Sequence, residues 1–210
     1  MPGFFFAIKE TDMSPIFSAD RSNPAAPRDI RFYRADQGIY SAGTAGAAWR
    51  LQRGVVRLDS GTPSGEMTFA SLAIPGDILG CETLLFGAYT FSATALTRCE
   101  LSPWPEGAAA LTGESLLGSL AKAQQRAAEI VALRGGQAAD RVLGLIRLFT
   151  DPAGQVVLPT RQDIADITDL RFETISRIIK MLERSRVLLP VRVDGVHATR
   201  SFQVNLSLAA

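Results

Sequence analysis

The stretch "TRQDIADITDLRFETISRIIKMLERSRVL", residues 160–188, carries two helical patterns separated by a sharp break. In the first, Ile164, Ala165 and Ile167 make one apolar face, and Thr160 with Asp163 three residues later approximates a capping box. The break falls at Asp169 and Leu170. In the second, Ile175, Ile178, Ile179 and Leu182 recur at the spacing of a buried helical stripe. Arg171, Glu173, Thr174, Ser176, Arg177 and Lys180 hold the opposite face. Two helices joined by a short turn, the second with an apolar back and a polar front, form the pattern of a helix-turn-helix.

Outward from this stretch the chain keeps the same logic. "ADRVLGLIRLF" (139–149) precedes it as another helix, and "LLPVRVDGVHATRSFQVNL" (188–206) follows it as a hairpin turning at Asp194–Gly195. A hairpin in that place is a wing. Further upstream, "TGESLLGSLAKAQQRAAEIVALRGG" (112–136) lacks proline, is rich in helix formers and stops at Gly135–Gly136. Leu116, Leu120, Ala123, Ala127 and Ile130 alternate by four and three along it, the spacing of a coiled-coil seam. Two readings stand, a helix lying on its own β domain and a helix pairing with a second copy. The small alanines, which permit close approach, favour the second, a homodimer.

Residues 30–101 read differently. "GIYSAG" (38–43), "AAWRLQRGVVRLDS" (47–60), "MTFASLAIPGD" (67–77) and "FSATALTRCELSPW" (91–104) are short alternating or apolar runs bounded by Gly, Pro and Asp. They predict an all-β sandwich, roll or barrel. Residues 1–28, Pro- and Ser-rich without a period, read as a flexible arm. The expected fold is therefore α+β: a jelly-roll-like β-roll over 29–110, a dimerisation helix over 111–136, and a winged helix-turn-helix over 137–210.

Composition narrows the function by exclusion. Lys and Arg number 22 against 21 Asp and Glu, so any nucleic-acid affinity must come from a local face rather than net charge. Cys81 and Cys99 fit no metal-ligand spacing, and no metal site is expected. No phosphate loop occurs, and the single histidine, His197, has no nucleophile to serve, so an enzyme is not expected. No secretory signal or membrane span is visible, and the expected compartment is the cytoplasm.

A β-rich sensor, a long dimer helix and a winged helix-turn-helix resemble the Crp–Fnr family of bacterial transcription regulators. Residues 160–188 are similar to that family's DNA-binding signature over almost every position, and "IPGDILG" (74–80) resembles the turn before its effector-binding segment. The resemblance implies double-stranded DNA as partner, a cyclic-nucleotide-binding-like sensor, and RNA polymerase as a further partner if the protein is an activator. Glu173 followed by Ser176 and Arg177 matches the Fnr-type reading head, which implies a palindromic TTGAT-like target. An Arg fork can take guanine O6 and N7, while Glu can accept from a base amine. The alternative is that Glu173 and Arg177, at i and i+4, form only a surface ion pair. Phe172 stands where the cyclic-AMP receptor branch carries Arg, either touching a thymine methyl or packing on the turn. Thr160, Arg161, Gln162, Arg171, Thr174 and Lys180 are expected at phosphates.

In the sensor, the family's cyclic-nucleotide binders place Arg beside Ser, with a Glu for the ribose. Here Glu82 and Ser92 are present, but Phe91 fills the Arg position, so the resemblance implies an effector other than cyclic AMP, or none. Glu82 reads equally as a solvated turn residue. With no cysteine in the first 80 residues, an Fnr-type iron–sulfur cluster lacks its ligands. No cofactor is expected; haem is the alternative, held by Cys81 or the Pro2 amine as in the family's haem-based carbon monoxide sensors. Cys81 otherwise reads as a small packing residue or a redox switch. A competing reading keeps the β-roll as a scaffold whose helical domain binds protein, but the charged outer face of the second helix speaks against it.

Overall fold

The computed structural model describes residues 29–62, 65–104, 113–193, 196 and 200–205, with backbone alone at 113–117 and 119. The N-terminal arm, the Asp194–Gly195 turn, His197 and the side chain of Leu116 lie outside the described residues. Eight short strands build the N-terminal part: β1 Arg31–Tyr33, β2 Gly38–Tyr40, β3 Ala48–Arg53, β4 Val56–Gly61, β5 Met67–Ala73, β6 Ile78–Leu79, β7 Ser92–Ala95 and β8 Cys99–Trp104. They pair antiparallel into two four-stranded sheets, ordered β1-β8-β3-β6 and β2-β7-β4-β5. Alternation decides which face turns inward. On β7, Ala93 and Ala95 are buried between Ser92 and Thr94; on β8, Cys99 and Leu101 point in. With Trp49, Leu51, Val56, Ala73 and Leu79 they form the core between the sheets. Pro103 is tolerated on β8 because β1 pairs only as far as Leu101, leaving that outer edge without a ladder to interrupt.

Between β6 and β7 a single short helix, α1 (Thr83–Phe86), leaves Leu84, Leu85 and Phe86 exposed. The Ile74–Gly80 stretch before it is a tight turn: Asp77 Oδ2 accepts from the Ile74 N–H at 2.9 Å, and Gly76 takes φ 95°, which only glycine adopts freely. The long helix α2 runs over Gly113–Ala132 and ends in the Leu133–Gly136 turn. Then follow α3 (Ala138–Phe149), β9 (Gln155–Val157), α4 (Arg161–Thr168), α5 (Phe172–Arg184), β10 (Leu188–Pro190) and β11 (Ser201–Val204). The last strands form the sheet β10-β11-β9, in which the wing hairpin is joined by the strand ahead of α4.

A second core joins the halves. Val55, Leu72 and Leu96 from the β-roll pack with Ile130 and Leu133 of the α2 end, and these with Val142, Leu145, Ile146, Ile164, Ile167, Ile175 and Phe202. The helix-turn-helix is therefore seated against the sensor through shared apolar contacts, which orient it.

Candidate nucleic-acid interface

The helix pair is built locally before it is packed. Thr160 caps α4 from an extended backbone: its Oγ1 accepts from the Asp163 N–H at 3.1 Å, and Asp163 Oδ2 accepts from the Thr160 N–H at 3.2 Å. That capping box satisfies two donors a helix start leaves open. At the far end Asp169 adopts φ 53°, a left-handed conformation Asp tolerates better than most residues, and its N–H closes on the Ala165 carbonyl. The chain turns there and α5 begins at Phe172. Ile175, Ile178, Ile179 and Leu182 bury the back of α5 almost completely, worth about 1.5–3 kcal/mol per side chain.

Its front stays open. Arg171, Phe172, Glu173, Arg177 and Lys180 are exposed, with Thr174 and Ser176 half-buried at the margins. Among the described residues Glu173 and Arg177 make no ion pair with each other or with a neighbour. Both are left free to meet a ligand. Phe172, 51% exposed, does not fold back into the turn. On α4, Gln162 is exposed and donates to Asp166 Oδ1 at 2.9 Å. Arg161 is half-buried; burial pulls its pKa below the ordinary guanidinium value, Glu183 opposing and Arg200 adding to the drop. The neighbouring Arg200, which donates to the Leu158 carbonyl at 2.7 Å, brings a second cation to the start of α4.

Sequence reasoning missed the residues that hold α4 from outside. Arg57 of β4 donates to Asp59 at 2.8 Å, and across the domain boundary to Asp163 Oδ1 at 3.1 Å and Asp166 Oδ2 at 2.8 Å. Arg134, past the end of α2, donates to the carbonyls of Ile167 at 3.1 Å and Asp166 at 2.8 Å; Arg141 of α3 donates to Thr168. Phe69 of β5 lies under both Arg57 and Arg134, at 5.8 and 5.1 Å from the ring centre. No local signal marks these residues, since their partners lie far away in sequence.

The sensor cassette is self-occupied. Glu82 accepts from the Thr90 N–H at 3.2 Å and Ser92 Oγ from the Ala42 N–H at 3.0 Å. Phe91 is half-buried, and Arg98 is exposed on the loop between β7 and β8. Tyr89 stacks on Tyr40 at 3.8 Å, donates to the Ala47 carbonyl at 2.7 Å, and fills the space over Gly46 and Gly80 so tightly that neither could carry a Cβ. Phe91, not an arginine, precedes Ser92 in the chain. A cavity of about 340 Å³ lies instead against α2, lined by Leu58, Ala73, Ile78, Trp104, Leu120 and Ala123 among others. Cys81 borders it and is exposed, with partial burial and the adjacent Glu82 pushing its thiol up. Among the described residues no cluster of His, Cys, Asp and Glu is placed to hold a metal ion, and no helix is long and apolar enough to cross a membrane.

Along α2 the seam residues divide. Leu120 is 56% exposed, and Ala123 and Ala127 are exposed too. Ile130 is not: it is buried in its own chain's core, and Val131, 72% exposed, takes the outward place. The end of α2 packs against Val55, Leu72 and Leu96 of the β-roll, and that contact buries Ile130.

No family model matches the chain. It is 32% identical to the nitrogen fixation regulation protein FixK of Bradyrhizobium diazoefficiens, over 71% of this chain and 73% of that one. It is 30% identical to the transcriptional activatory protein AadR of Rhodopseudomonas palustris, over 72% of this chain and 69% of that one. Among solved structures, a CRP-family transcriptional regulator of Thermus thermophilus superposes with a TM-score of 0.62 at 24% identity, over 84% of this chain and 93% of that one. FixK2 of Bradyrhizobium japonicum gives 0.62 at 24%, over 86% and 95%.

Proposed function

The chain belongs to the Crp–Fnr family of transcription regulators, and from that premise we propose that it acts as a homodimer on a palindromic, TTGAT-like DNA site. It is a DNA-binding regulator and not an enzyme. The observation that carries the proposal is α5, whose apolar back is buried while Glu173 and Arg177 stand exposed and unpaired on its front. A guanidinium fork there can take guanine O6 and N7, and a carboxylate beside it can accept from an amine. Phe172 sits beside them, able to meet a thymine methyl. Thr160, Arg161, Gln162, Arg171, Thr174 and Lys180 flank the reading face and supply phosphate contacts, which set register. Arg200 adds charge at the same edge.

The partner copy covers α2. Leu120, Ala123, Ala127 and Val131 form an exposed strip of small and apolar residues, which a second α2 would bury. Two-fold symmetry then presents two reading helices to one palindrome. RNA polymerase is the further partner if the protein activates.

The signal is not cyclic AMP in this reading. Phe91 in the Arg position, the internal bonds of Glu82 and Ser92, and the Tyr40–Tyr89 stack all support it. No resident cofactor is proposed; haem would have to rely on Cys81 or on the terminal amine.

The test is titration of full-length protein against a labelled inverted repeat of TTGAT, a scrambled control, and both again with cyclic AMP. Preference for the repeat by tenfold or more, at about the 1:2 ratio of a dimer and unmoved by cyclic AMP, is expected. Equal binding to repeat and control would overturn the specificity; a shift on adding cyclic AMP would overturn the effector reading.

A further inference from the structure

Arg57 sits on β4 of the sensor, yet its guanidinium closes on two carboxylates of α4, Asp163 and Asp166, more than a hundred residues away in sequence. Its side chain is 14% exposed and those of Asp59, Asp163 and Asp166 are 13%, 17% and 33% exposed, so the cluster is largely screened from water. We propose that Arg57 is a positioning residue for DNA binding, one that never touches DNA but holds α4, and with it the reading helix, in register. This rests on the DNA-binding reading above and deepens it.

Two physical consequences follow from the placement. The first is orientation. Arg57 grips the acidic face of α4 while Arg134 takes the carbonyls of Asp166 and Ile167, and both guanidiniums lie over the ring of Phe69. The helix is held from its flank and from its C-terminal end, in a socket contributed by the sensor strands and the end of α2. Since α5 is joined to α4 by the short Asp169–Arg171 turn, fixing one fixes the aim of the other. The second is charge. Asp163 and Asp166 are the two α4 carboxylates that Arg57 faces. Arg57 sets one positive charge against them from the sensor side, so its guanidinium is engaged inside the cluster rather than offered to a phosphate.

The closed clamp is compatible with DNA. Arg171, Phe172, Glu173, Arg177 and Lys180 are all exposed while Arg57 holds Asp163 and Asp166. The clamp therefore supports the binding-competent arrangement rather than hiding the reading face.

The experiment is a double-mutant cycle in the full chain with Arg57→Met and Asp166→Asn, read by affinity for the palindrome at two salt concentrations and by thermal unfolding without DNA. Arg57→Met should weaken DNA binding by about tenfold, with the salt slope unchanged because no phosphate contact is lost. In the Asp166→Asn background the same change should cost less than about threefold, and the unfolding midpoints should show matching non-additivity. Unchanged affinity in Arg57→Met, or an increase, would overturn the proposal, the increase marking an inhibitory latch instead. A smaller salt slope would make Arg57 a direct phosphate contact, and an equal loss in both backgrounds would reduce it to general stability. If wild type ignored the palindrome, the DNA-site reading would fail by itself, and additive unfolding midpoints would still decide against the clamp.

Discussion

Arg126 of α2 and Asp77 of the β-roll meet at 3.2 Å, both side chains nearly buried, and the same Asp77 oxygen accepts from the Ile74 N–H. Arg126 also pairs with Glu129 on its own helix. One carboxylate thus shapes the Gly76 turn and ties it to the long helix. Arg126→Ala would leave that carboxylate without its cation, at a cost of about 1.5–3 kcal/mol. The melting temperature should fall by roughly 4–10 °C in circular-dichroism melts. Asp77→Asn, which keeps an acceptor for Ile74, should fall less. Equal melting of all three proteins would mean the pair contributes nothing.

Arg177→Ala should cost about 1–3 kcal/mol per half-site and relax discrimination at one guanine. Lys180→Ala should weaken every sequence alike and flatten the salt dependence. Binding to single-base variants of the palindrome at two salt concentrations separates the two outcomes. A uniform loss in Arg177→Ala would make it a phosphate clamp.

The exposed strip of α2 gives a paired prediction. Leu120→Glu places a charge in the proposed interface and should yield a folded monomer by sedimentation, with wild-type circular dichroism. Ile130→Ala, inside the chain's own core, should instead cost about 2–5 kcal/mol of stability while leaving the assembly state unchanged. Dissociation by Ile130→Ala with no loss of stability would place the seam where its spacing alone put it.

Cys99 gives a pH signature. Its side chain is buried, and burial pushes its thiol from 9.0 up to about 11, partly offset by hydrogen bonding from the Thr97 side chain and the Val55 and Thr97 backbone. The folded state therefore keeps a proton that the unfolded chain gives up. This contribution is fully present below about pH 9 and is lost as pH rises toward about 11, worth up to about 3 kcal/mol. Denaturant unfolding of wild type and Cys99→Ala between pH 8 and pH 11 should show a steeper alkaline loss in wild type. Parallel curves would put the thiol in contact with water.

What the sequence determined by itself is whatever short-range physics encodes. The capping box at Thr160 and Asp163, the break at Asp169 and the apolar back of α5 are all set within a few residues, and the structure returns each of them. The same holds for the strand-rich texture of residues 30–104 and for the wing, whose strands β10 and β11 pair where the hairpin was expected. Spacing also laid out the proposed seam, of which Leu120, Ala123 and Ala127 are exposed. Tertiary structure alone decided the rest. Ile130 turns inward because the β-roll residues Val55, Leu72 and Leu96 meet the end of α2, and no periodicity within the helix reports that neighbour. Tyr89 closes the cassette because Gly46 and Gly80, far apart in the chain, leave it room. Arg57 finds Asp163 and Asp166 only after two domains have packed. A periodic pattern fixes which face of an element is apolar, whereas the partner of a charged or aromatic side chain is chosen by chain segments brought together in folding.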